Sequence, residues 1–425
     1  MTIAAEGEKP VAWWREPTRE QWYGWWAVWL GWTLAAFDFT VFLLIMQPIA
    51  DEFEVPLTAV AIVLTITLWM RLVGAVAAGW LADRIGRRAP LMIAIACYAF
   101  SNFIAGFSPT LWFLLLFRAL LGIGMGAEYP VGTALLMENW PQRSRGLMSG
   151  ILQSSGNLGI LLSGAIYGLF YNSIGWRGML WVGIVPGLLI IYIRFFVKEP
   201  PVWLENRRRQ RAEGREVKAP LLAIFRRPLL GNTLTACWFM ASSFVCYYSI
   251  NALFATHLQV DLHMSPALLA TPIVFANLLA FVAATFWGWT SDRIGRRWAM
   301  ILPALIAIPL APIYLFSDNV VIMIVAFVAQ GFAGTGGMNG QIPAYLNERF
   351  PTEVRATATG FCFHQGAIFG GLVPPILTYL AATWGTGLAL PMLIGTVVGA
   401  GSFIIALLLG PETKGKEIVP DLVRA

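Results

Sequence analysis

The chain has 425 residues, of which 58% are hydrophobic and 12% are charged, and its formal net charge is +6. A soluble domain carries about 25% charged residues, and no soluble core could bury this much apolar surface. The composition therefore excludes a soluble protein and predicts an integral membrane protein whose surroundings are the lipid bilayer.

Neither the first residues nor the cysteines indicate processing or a metal. Residues 1–24 are mixed in character and rich in tryptophan, without a basic segment, a short apolar core and a small-residue cleavage site in succession, so we expect no cleaved signal peptide. The four cysteines all lie in apolar runs, with no metal-ligand spacing: Cys97, Cys237, Cys246 and Cys362. We expect buried thiols and no metal site.

Twelve apolar runs are long enough to cross a bilayer, which takes about 20 residues. They cover roughly residues 25–47, 59–82, 90–107, 110–137, 147–171, 178–196, 229–256, 267–290, 298–316, 319–346, 356–381 and 388–409. The sequence therefore predicts an all-α integral membrane fold with twelve transmembrane helices in two six-helix bundles.

The loops between these runs differ in charge. Lys and Arg are concentrated in loops 83–89, 139–146, 198–227, 292–297, 347–355 and 411–425, whereas the loops at the other ends contain one cationic residue, Arg177. Because cationic loops stay in the cytoplasm, we expect a multi-pass protein of the cell (inner) membrane with both termini cytoplasmic. The predicted parts are a cytoplasmic segment 1–24, an N-terminal bundle 25–197, a cytoplasmic linker 198–228, a C-terminal bundle 229–410 and a cytoplasmic tail 411–425.

A repeat relates the two halves. The decapeptide GWLADRIGRR at 79–88 returns as GWTSDRIGRR at 288–297, an offset of 209 residues. ENWPQRSR at 138–145 matches ERFPTEVR at 348–355 at an offset of 210. Two related six-helix halves in parallel are the layout of many transporters, whose binding site lies near the bilayer midplane between the halves.

Four charged residues fall inside the apolar runs of the N-terminal half: Asp38, Arg71, Arg118 and Glu128. A charge at the bilayer centre costs about 2.5–3.5 kcal/mol on insertion scales. One interpretation is that the two acids and two bases pair and only brace the bundle. The other is that one arginine meets an anion while one carboxylate carries a proton, since a guanidinium matches a carboxylate bidentately.

The C-terminal half has neutral polar residues at comparable places. The candidates for substrate contact there are Asn251, Asn277, Asn339, Gln341 and His364, and Tyr129 of the N-terminal half could shape the cavity. Amides can hydrogen-bond a polyol or a hydroxy acid without adding charge. Each alone is more often a helix–helix hydrogen bond, and a lone histidine is more often a satisfied core residue.

The decapeptide loop at 79–88, together with Arg118-x-x-x-Gly122-x-Gly124, resembles signature motifs of the major facilitator superfamily. Gly31-Trp-Thr-Leu-Ala-Ala-Phe-Asp38-Phe39 and Gly126-Ala-Glu128-Tyr129 are similar to the branch of sialate and lactate proton symporters. The resemblance implies alternating access and a monomer. It also implies a cytoplasmic latch at the repeated loop, with gating residues Asp83, Arg84, Arg87, Asp292, Arg293 and Arg296.

The function expected from these observations is proton-coupled symport of an organic-acid anion, such as sialic acid or a lactate-type monocarboxylate. Arg71 is the first choice for binding the substrate carboxylate. Asp38 is the first choice for the proton carrier, and Glu128 is the second. We expect Arg118 to be the partner of a carboxylate rather than a direct ligand of the substrate. The alternatives are a transporter of sugars or other neutral metabolites and a non-transporting receptor. We expect no enzyme activity, no cofactor beyond the proton gradient and no nucleic acid partner.

Overall fold

The computed structural model describes residues 12–214, 217, 219–262 and 266–418, and the regular structure in these ranges is helical. The helices of the first half and the linker are α1 (Arg19–Glu52), α2 (Leu57–Ile85), α3 (Arg88–Ala105), α4 (Leu111–Asn139), α5 (Arg145–Trp181), α6 (Leu188–Phe196), α7 (Pro201–Ala212) and α8 (Pro220–Ala223). Those of the second half are α9 (Arg227–Asn251), α10 (Phe254–Val260), α11 (Pro266–Ile294), α12 (Arg296–Phe316), α13 (Val320–Gln330), α14 (Ile342–Arg349), α15 (Arg355–Trp384) and α16 (Ala389–Leu409).

Within the described ranges, eleven helical stretches are long and apolar enough to cross a membrane. One of them, Gln142–Phe196, has 55 residues, about twice what one crossing needs. The backbone turns at Gly175, where φ is 61°, and a 3₁₀ segment, Val182–Gly187, leads into α6. This stretch therefore holds the fifth and sixth of the twelve predicted spans.

The turn after α2 depends on glycine in both halves. Gly86 has a φ of 112° and its repeat counterpart Gly295 a φ of 103°, a region that side chains with a Cβ rarely adopt. The prediction placed Asp83 in the loop itself, but α2 continues through Asp83 to Ile85. The apolar stretch of the sequence ends at the edge of the lipid, whereas the helical hydrogen bonds of α2 continue into the aqueous layer.

The linker contains more regular structure than a charged loop would suggest. Helix α7 begins after Pro200 with Pro201 in its first turn, where the missing N–H is no loss. Its Trp203, Asn206 and Gln210 are buried, so α7 packs against the bundle along one face. The predicted terminal segments continue beyond the described residues into 1–11 and 419–425.

Small residues let the helices of each half approach closely. A Cβ on Gly74 of α2 would overlap the carbonyl oxygen of Ile123 on α4, and Cβ atoms on Gly122 and Gly126 would overlap the carbonyl oxygens of Thr67 and Arg71 on α2. Without a hydrophobic drive between helices in lipid, such close backbone packing is a main source of association. It also fixes Arg71 against the middle of α4.

The halves meet along two helix pairs that the repeat relates to each other. Helix α2 packs on α15, where Gly79 lies against the backbone of Thr357, and α5 packs on α11, where Gly150 lies against the backbone of Ala284. The end of the bundle that carries the loops 83–89, 139–146, 292–297 and 347–355 is called the basic end below.

Helix α13 continues into a π-helical turn, Gly331–Gly337, before the chain re-forms as α14. Such wide turns occur as local features inside α-helices and are frequent at functional sites. Here the turn directs Thr335 toward Asn251 of α9, with the Asn251 side-chain nitrogen 3.2 Å from the Thr335 hydroxyl.

The close packing of α2 on α4 predicts unequal effects of two Gly→Ala changes. Gly74→Ala forces a methyl group onto the Ile123 carbonyl, and overpacking of this kind costs about 1–3 kcal/mol. Gly164→Ala on α5 meets nothing within 4 Å and gains up to about 1 kcal/mol of helix propensity. Thermal unfolding in detergent should show a lower midpoint for Gly74→Ala only; equal midpoints would contradict this packing.

Candidate functional site

Arg71 lies on α2, with its backbone packed against Gly126 of α4, and part of its side chain is exposed. Its Nη2 donates to the Met125 sulfur at 3.4 Å, its Cζ lies 4.7 Å from the centre of the Phe39 ring, and its Nε is buried without a partner. A thioether is a weak acceptor. The Glu128 carboxylate is within electrostatic range, but no hydrogen bond joins the two. The guanidinium thus has unused donors in an accessible place.

Aromatic rings from both halves meet beside His364, which is in electrostatic range of Arg71. The Tyr129 ring stacks on Phe363 of α15 at 3.7 Å and meets Trp32 of α1 edge-on at 4.9 Å. The ring of His364 is 6.0 Å from that of Tyr129, and both of its nitrogens are without hydrogen-bond partners. Tyr248 of α9 lies within electrostatic range of Arg71. The site therefore lies between the two halves.

A second charged cluster is closed inside the N-terminal half. Arg118 is fully buried, donates from Nη1 to Asn102 Oδ1 at 3.0 Å, and places its Cζ 3.8 Å from the centre of the Phe42 ring. Asp38 is also fully buried, in electrostatic range of Arg118 and beside the Asn102 side chain, yet neither carboxylate oxygen accepts a well-formed hydrogen bond from a described residue. The pair attracts without direct hydrogen bonding.

Glu128 lies against the α1 backbone nearer the basic end. A Cβ on Gly31 would overlap its Oε1, and that oxygen is buried without a partner. Asp38 follows Gly31 by seven residues on the same helix, so the two carboxylates differ in depth by about 10 Å. The four charges are balanced in sum, but each retains buried atoms without hydrogen bonds.

The amides of α9 and the π-helical region bond to one another. The Asn251 amide nitrogen donates to the Thr335 hydroxyl at 3.2 Å and to the Tyr247 carbonyl at 2.9 Å. Asn339 accepts from the Ser243 hydroxyl at 2.8 Å and donates to the Thr335 carbonyl at 2.7 Å. These two amides are partly exposed, and a ligand would reach them by exchanging these bonds.

The other two predicted amides are used within the helical scaffold. Asn277 donates to the carbonyl of Ile273 in its own helix at 2.8 Å. Gln341 is fully buried and donates to the carbonyls of Ala299 at 2.6 Å and Gly337 at 3.1 Å. Gln341 therefore joins α12 to the π-helical turn, and the structure does not bring it to Arg71.

The first latch (Asp83, Arg87, Glu138, Arg355 and Thr357) joins the halves at the basic end. Asp83 accepts from the backbone nitrogen and the hydroxyl of Thr357 at 3.0 and 2.7 Å, at the N-terminus of α15. Arg87 pairs with Asp83 at 2.9 Å and bidentately with Glu138 at 2.8 and 3.1 Å; Arg355 of the other half reaches Glu138 at 2.6 Å. A carboxylate at a helix N-terminus is favoured by the unpaired N–H groups and the helix dipole.

The second latch (Asp292, Arg296, Glu348 and Arg145) repeats this pattern with the halves exchanged. Asp292 accepts from the backbone nitrogen of Gly146, at the N-terminus of α5, at 2.9 Å. Arg296 pairs with Asp292 at 2.6 Å and with Glu348 at 3.0 Å, and Arg145 of the other half reaches Glu348 at 3.2 Å. Both latches are formed, so the basic end is closed in this conformation.

A glutamate carboxylate accepts hydrogen bonds from the backbone of each arginine-rich turn; Glu199 is partly buried and Glu412 is exposed. Glu199, after α6, accepts from the backbone nitrogens of Arg87 at 2.7 Å and Arg88 at 2.9 Å. Burial raises the pKa of Glu199, and these two N–H groups oppose that rise. Glu412 accepts from the backbone nitrogens of Arg296 at 2.9 Å and Arg297 at 3.0 Å.

Two of the residues expected at the gate contact their own helices. The Arg84 guanidinium lies 5.1 Å from the Trp80 ring centre, and that of Arg293 lies 3.4 Å from the Trp289 ring centre. Each is one helical turn from its tryptophan, the spacing of a stabilising cation–π pair. The structure thus brings Arg87 and Arg296 into the latches, and Arg84 and Arg293 to their outer sides.

A sequence profile of the Major Facilitator Superfamily matches residues 28–279 and 241–423. The chain belongs to the major facilitator superfamily. Its fold is also that of the proton:xylose symporter XylE, solved with a bromodeoxyglucose, at a TM-score of 0.78 over 94% of this chain and 97% of that one, with 19% sequence identity.

Two full-length relatives are named as transporters. The chain is 26% identical to the sialic acid transporter NanX of Escherichia coli (strain K12), over 96% of this chain and 98% of that protein. It is 29% identical to a probable 4-methylmuconolactone transporter of Cupriavidus pinatubonensis, over 95% and 94% of the two chains. This major facilitator protein is therefore a multi-pass membrane transporter and not an enzyme.

Of the residues predicted for the transporter's site, Arg71, Tyr129 and His364 lie together between the halves, while Asp38 and Arg118 lie in the buried cluster beside them. Sequence reasoning missed Asn102, Tyr248 and Phe363. Asn102 could have been noticed as a polar residue in an apolar run. Nothing in the sequence separated Tyr248 or Phe363 from the other aromatic residues of their helices.

The paired latches predict that loss of their aspartate charges opens the basic end of this transporter. Asp83→Asn with Asp292→Asn removes both charges from the helix N-termini and from the arginines, and breaking a buried ion pair costs about 3–5 kcal/mol. Spin labels at the exposed Ile85 and Ile294, in a background with the native cysteines replaced, should move to longer distances.

The control is Asp51→Asn, at the opposite end, where the side-chain carboxylate accepts a hydrogen bond from Gln47 of the same helix. It should leave the distance distribution unchanged. An unchanged distribution in the double latch variant would show that the latches do not hold the halves together.

Proposed function

We propose that this protein is a secondary active transporter that carries an organic-acid anion together with protons by alternating access. Sialic acid and lactate-type monocarboxylates belong to the proposed class. The protein would work as a monomer in the inner membrane, with the basic end and both termini in the cytoplasm, as the distribution of Lys and Arg favours. The single observation that carries the proposal is the setting of Arg71.

Arg71 is a cation at membrane depth whose described hydrogen bond goes to a thioether. Leaving it so is costly, since a central arginine is penalised by about 2.5–3.5 kcal/mol even on the milder scales. A substrate carboxylate would supply two parallel, charge-assisted hydrogen bonds and remove that cost. The partial exposure of the side chain gives such an anion a way to reach it.

The neighbouring Glu128 supports coupling to protons. It lies in electrostatic range of Arg71 without a hydrogen bond to it, so an anion bound to Arg71 would compete for the same positive charge. A carboxylate that loses its counter-charge in a low-dielectric place binds a proton more readily. Binding of substrate and binding of a proton would then favour each other, which is the requirement for symport.

The rest of the substrate would lie against rings. The Phe39 ring lies against the guanidinium, and the rings of Trp32, Tyr129 and Phe363 pack on one another beside His364. The faces of these rings pack well on flat or apolar parts of a ligand. Asn251 and Asn339 are predicted amides with exposed surface, and they would serve hydroxyl or carbonyl groups after exchanging bonds. The names of the relatives, for sialic acid and for 4-methylmuconolactone, agree with small organic molecules of this kind.

The proposal predicts that Arg71→Lys abolishes transport. Lysine keeps the charge but loses the planar fork that binds a carboxylate bidentately, so uptake of anions should fall at least about tenfold. The measurement is uptake of labelled N-acetylneuraminate, lactate, nicotinate and cis,cis-muconate into proteoliposomes under an inward proton gradient, with protein-free vesicles subtracted.

The matched control is Arg194→Lys, on an exposed position of α6, which should transport like the unmodified protein. Uptake of a neutral sugar that Arg71→Lys leaves intact would contradict the anion proposal and support the sugar-transporter alternative.

A further inference from the structure

A polar cavity of about 540 Å³ lies at the basic end of the C-terminal half. Its walls are the first turns of α9, the end of α14, the end of α16 and the tail segment 411–416 that follows α16. The volume is within the range of about 300–1,000 Å³ that small-molecule sites occupy. None of the lining residues belongs to the site around Arg71 or to either latch, so the transport cycle described above leaves this cavity unexplained.

A buried arginine of the cavity wall has an unpaired end. Arg349 is only 3% exposed. Its Nε donates to Asn232 Oδ1 at 2.7 Å, and its Nη2 donates to the Asn232 carbonyl at 2.9 Å and to the Thr235 hydroxyl. Its Nη1 has no hydrogen-bond partner among the described residues. A Cβ on Gly410, which also lines the cavity, would lie 3.4 Å from Nη1, so the unpaired nitrogen is directed at the cavity.

The repeat indicates that the fold does not require this charge. The counterpart of Arg349 at an offset of 210 residues is the neutral Asn139. The Arg349 carbonyl accepts from the Asn232 side chain at 2.8 Å, and the Asn139 carbonyl accepts in the same way from the Gln21 side chain. The same helix corner therefore forms without a cation. An unpaired buried donor on a charged group is costly, so Arg349 calls for a partner that the fold itself does not provide.

The other charged groups of the cavity favour an anion as that partner. Lys416 lines the cavity from the tail and is exposed. Glu412 lines it too, but both of its carboxylate oxygens are engaged, since they accept from four backbone nitrogens in all. Arg349 on one wall and Lys416 on another thus provide two positive charges for a ligand.

The tail wall is held in place by residues of both halves. The Thr413 hydroxyl donates to Glu348 Oε2 at 2.7 Å, and the Lys416 carbonyl accepts from Arg145 Nη1 at 3.3 Å. Because Glu348 and Arg145 belong to the second latch, the cavity is fully formed when the basic end is closed. A ligand would enter a preformed space and would not have to order the tail, which favours its binding.

We propose that this cavity binds a phosphate group between Arg349 and Lys416. A guanidinium matches phosphate oxygens with directed N–H groups, and a lysine adds a point charge. Two cations suit a phosphate monoester, which carries about −1.5 to −2 charges at pH 7. The cavity also has room for the rest of a phosphorylated small molecule or for a phospholipid headgroup. This site is separate from the proposed transport site and does not depend on which molecule is carried.

The test is titration calorimetry of the detergent-solubilised full chain at constant ionic strength. Inorganic phosphate and glycerol 3-phosphate probe a soluble source of the phosphate group, and short-chain phosphatidic acid probes a lipid source. Glycerol and short-chain diacylglycerol are the matched compounds without phosphate. At least one phosphate compound should bind, and Arg349→Gln should raise its dissociation constant at least about tenfold, because glutamine keeps some reach but loses the charge and the fork.

Arg226→Gln is the matched control. Arg226 is exposed and directly precedes α9, so the variant loses the same charge near the cavity but no proposed ligand, and its dissociation constant should stay within about twofold. Lys416→Gln should weaken binding severalfold, and it decides the matter if Arg349→Gln does not fold. Arg71→Lys, in the central site, should bind phosphate like the unmodified protein.

Binding of the soluble phosphates that Arg349→Gln weakens would support a soluble ligand, and binding of phosphatidic acid alone would support a lipid headgroup. Absence of binding by all three compounds, or equal affinity in the Arg349→Gln and Arg226→Gln proteins, would overturn the proposal. So would unchanged affinity in Lys416→Gln if Arg349→Gln does not fold. Binding that only Arg71→Lys weakens would assign the phosphate to the central site. Failure of proton-driven uptake would count against the proposed function alone, since phosphate binding at Arg349 is measured without transport.

Discussion

The constraint on which the rest of the molecule depends is the presence of four charges at membrane depth that do not satisfy one another. Asp38 and Arg118 attract without a direct hydrogen bond, and so do Glu128 and Arg71. Full pairing would make a rigid strut, whereas these loosely matched charges can still bind a proton or an anion. Close glycine contacts between α2 and α4 keep Arg71 and Glu128 on adjoining helices.

Residues that the two halves have in common form the latches, so substrate selectivity depends on residues that differ between the halves. In each half an aspartate, Asp83 or Asp292, contacts the N-terminus of a helix in the other half. Each half also supplies a glutamate that binds two arginines, one from each half. Because both latches are built from equivalent residues of the repeat, they do not determine which substrate binds. Selectivity has to come from what differs, which is the charged N-terminal face with Arg71 and the amide and aromatic face opposite.

Much of the fold could be predicted from the sequence, because spanning a bilayer demands long apolar runs and the repeat demands equivalent partners. Arg71 and Asp38 could be recognised since a charge in an apolar run is conspicuous. Tyr248 and Phe363 could not, because their importance depends on facing Arg71 and Tyr129 of the other half, which hydropathy does not encode. The hydrogen bond from Gln341 to the Ala299 carbonyl could not be predicted either, because it depends on the π-helical turn. The continuation of α2 beyond Asp83 depends on hydrogen bonds outside the lipid.

The central claim, that an anion and a proton move together, is tested most directly by measuring proton movement that substrate alone causes. The proteoliposomes contain a pH-sensitive dye, no proton gradient is imposed, and a potassium ionophore clamps the voltage. A carboxylate that does not cross lipid unaided is then added outside. The account predicts acidification of the interior at a rate proportional to substrate uptake. Substrate uptake without any change in internal pH would contradict it.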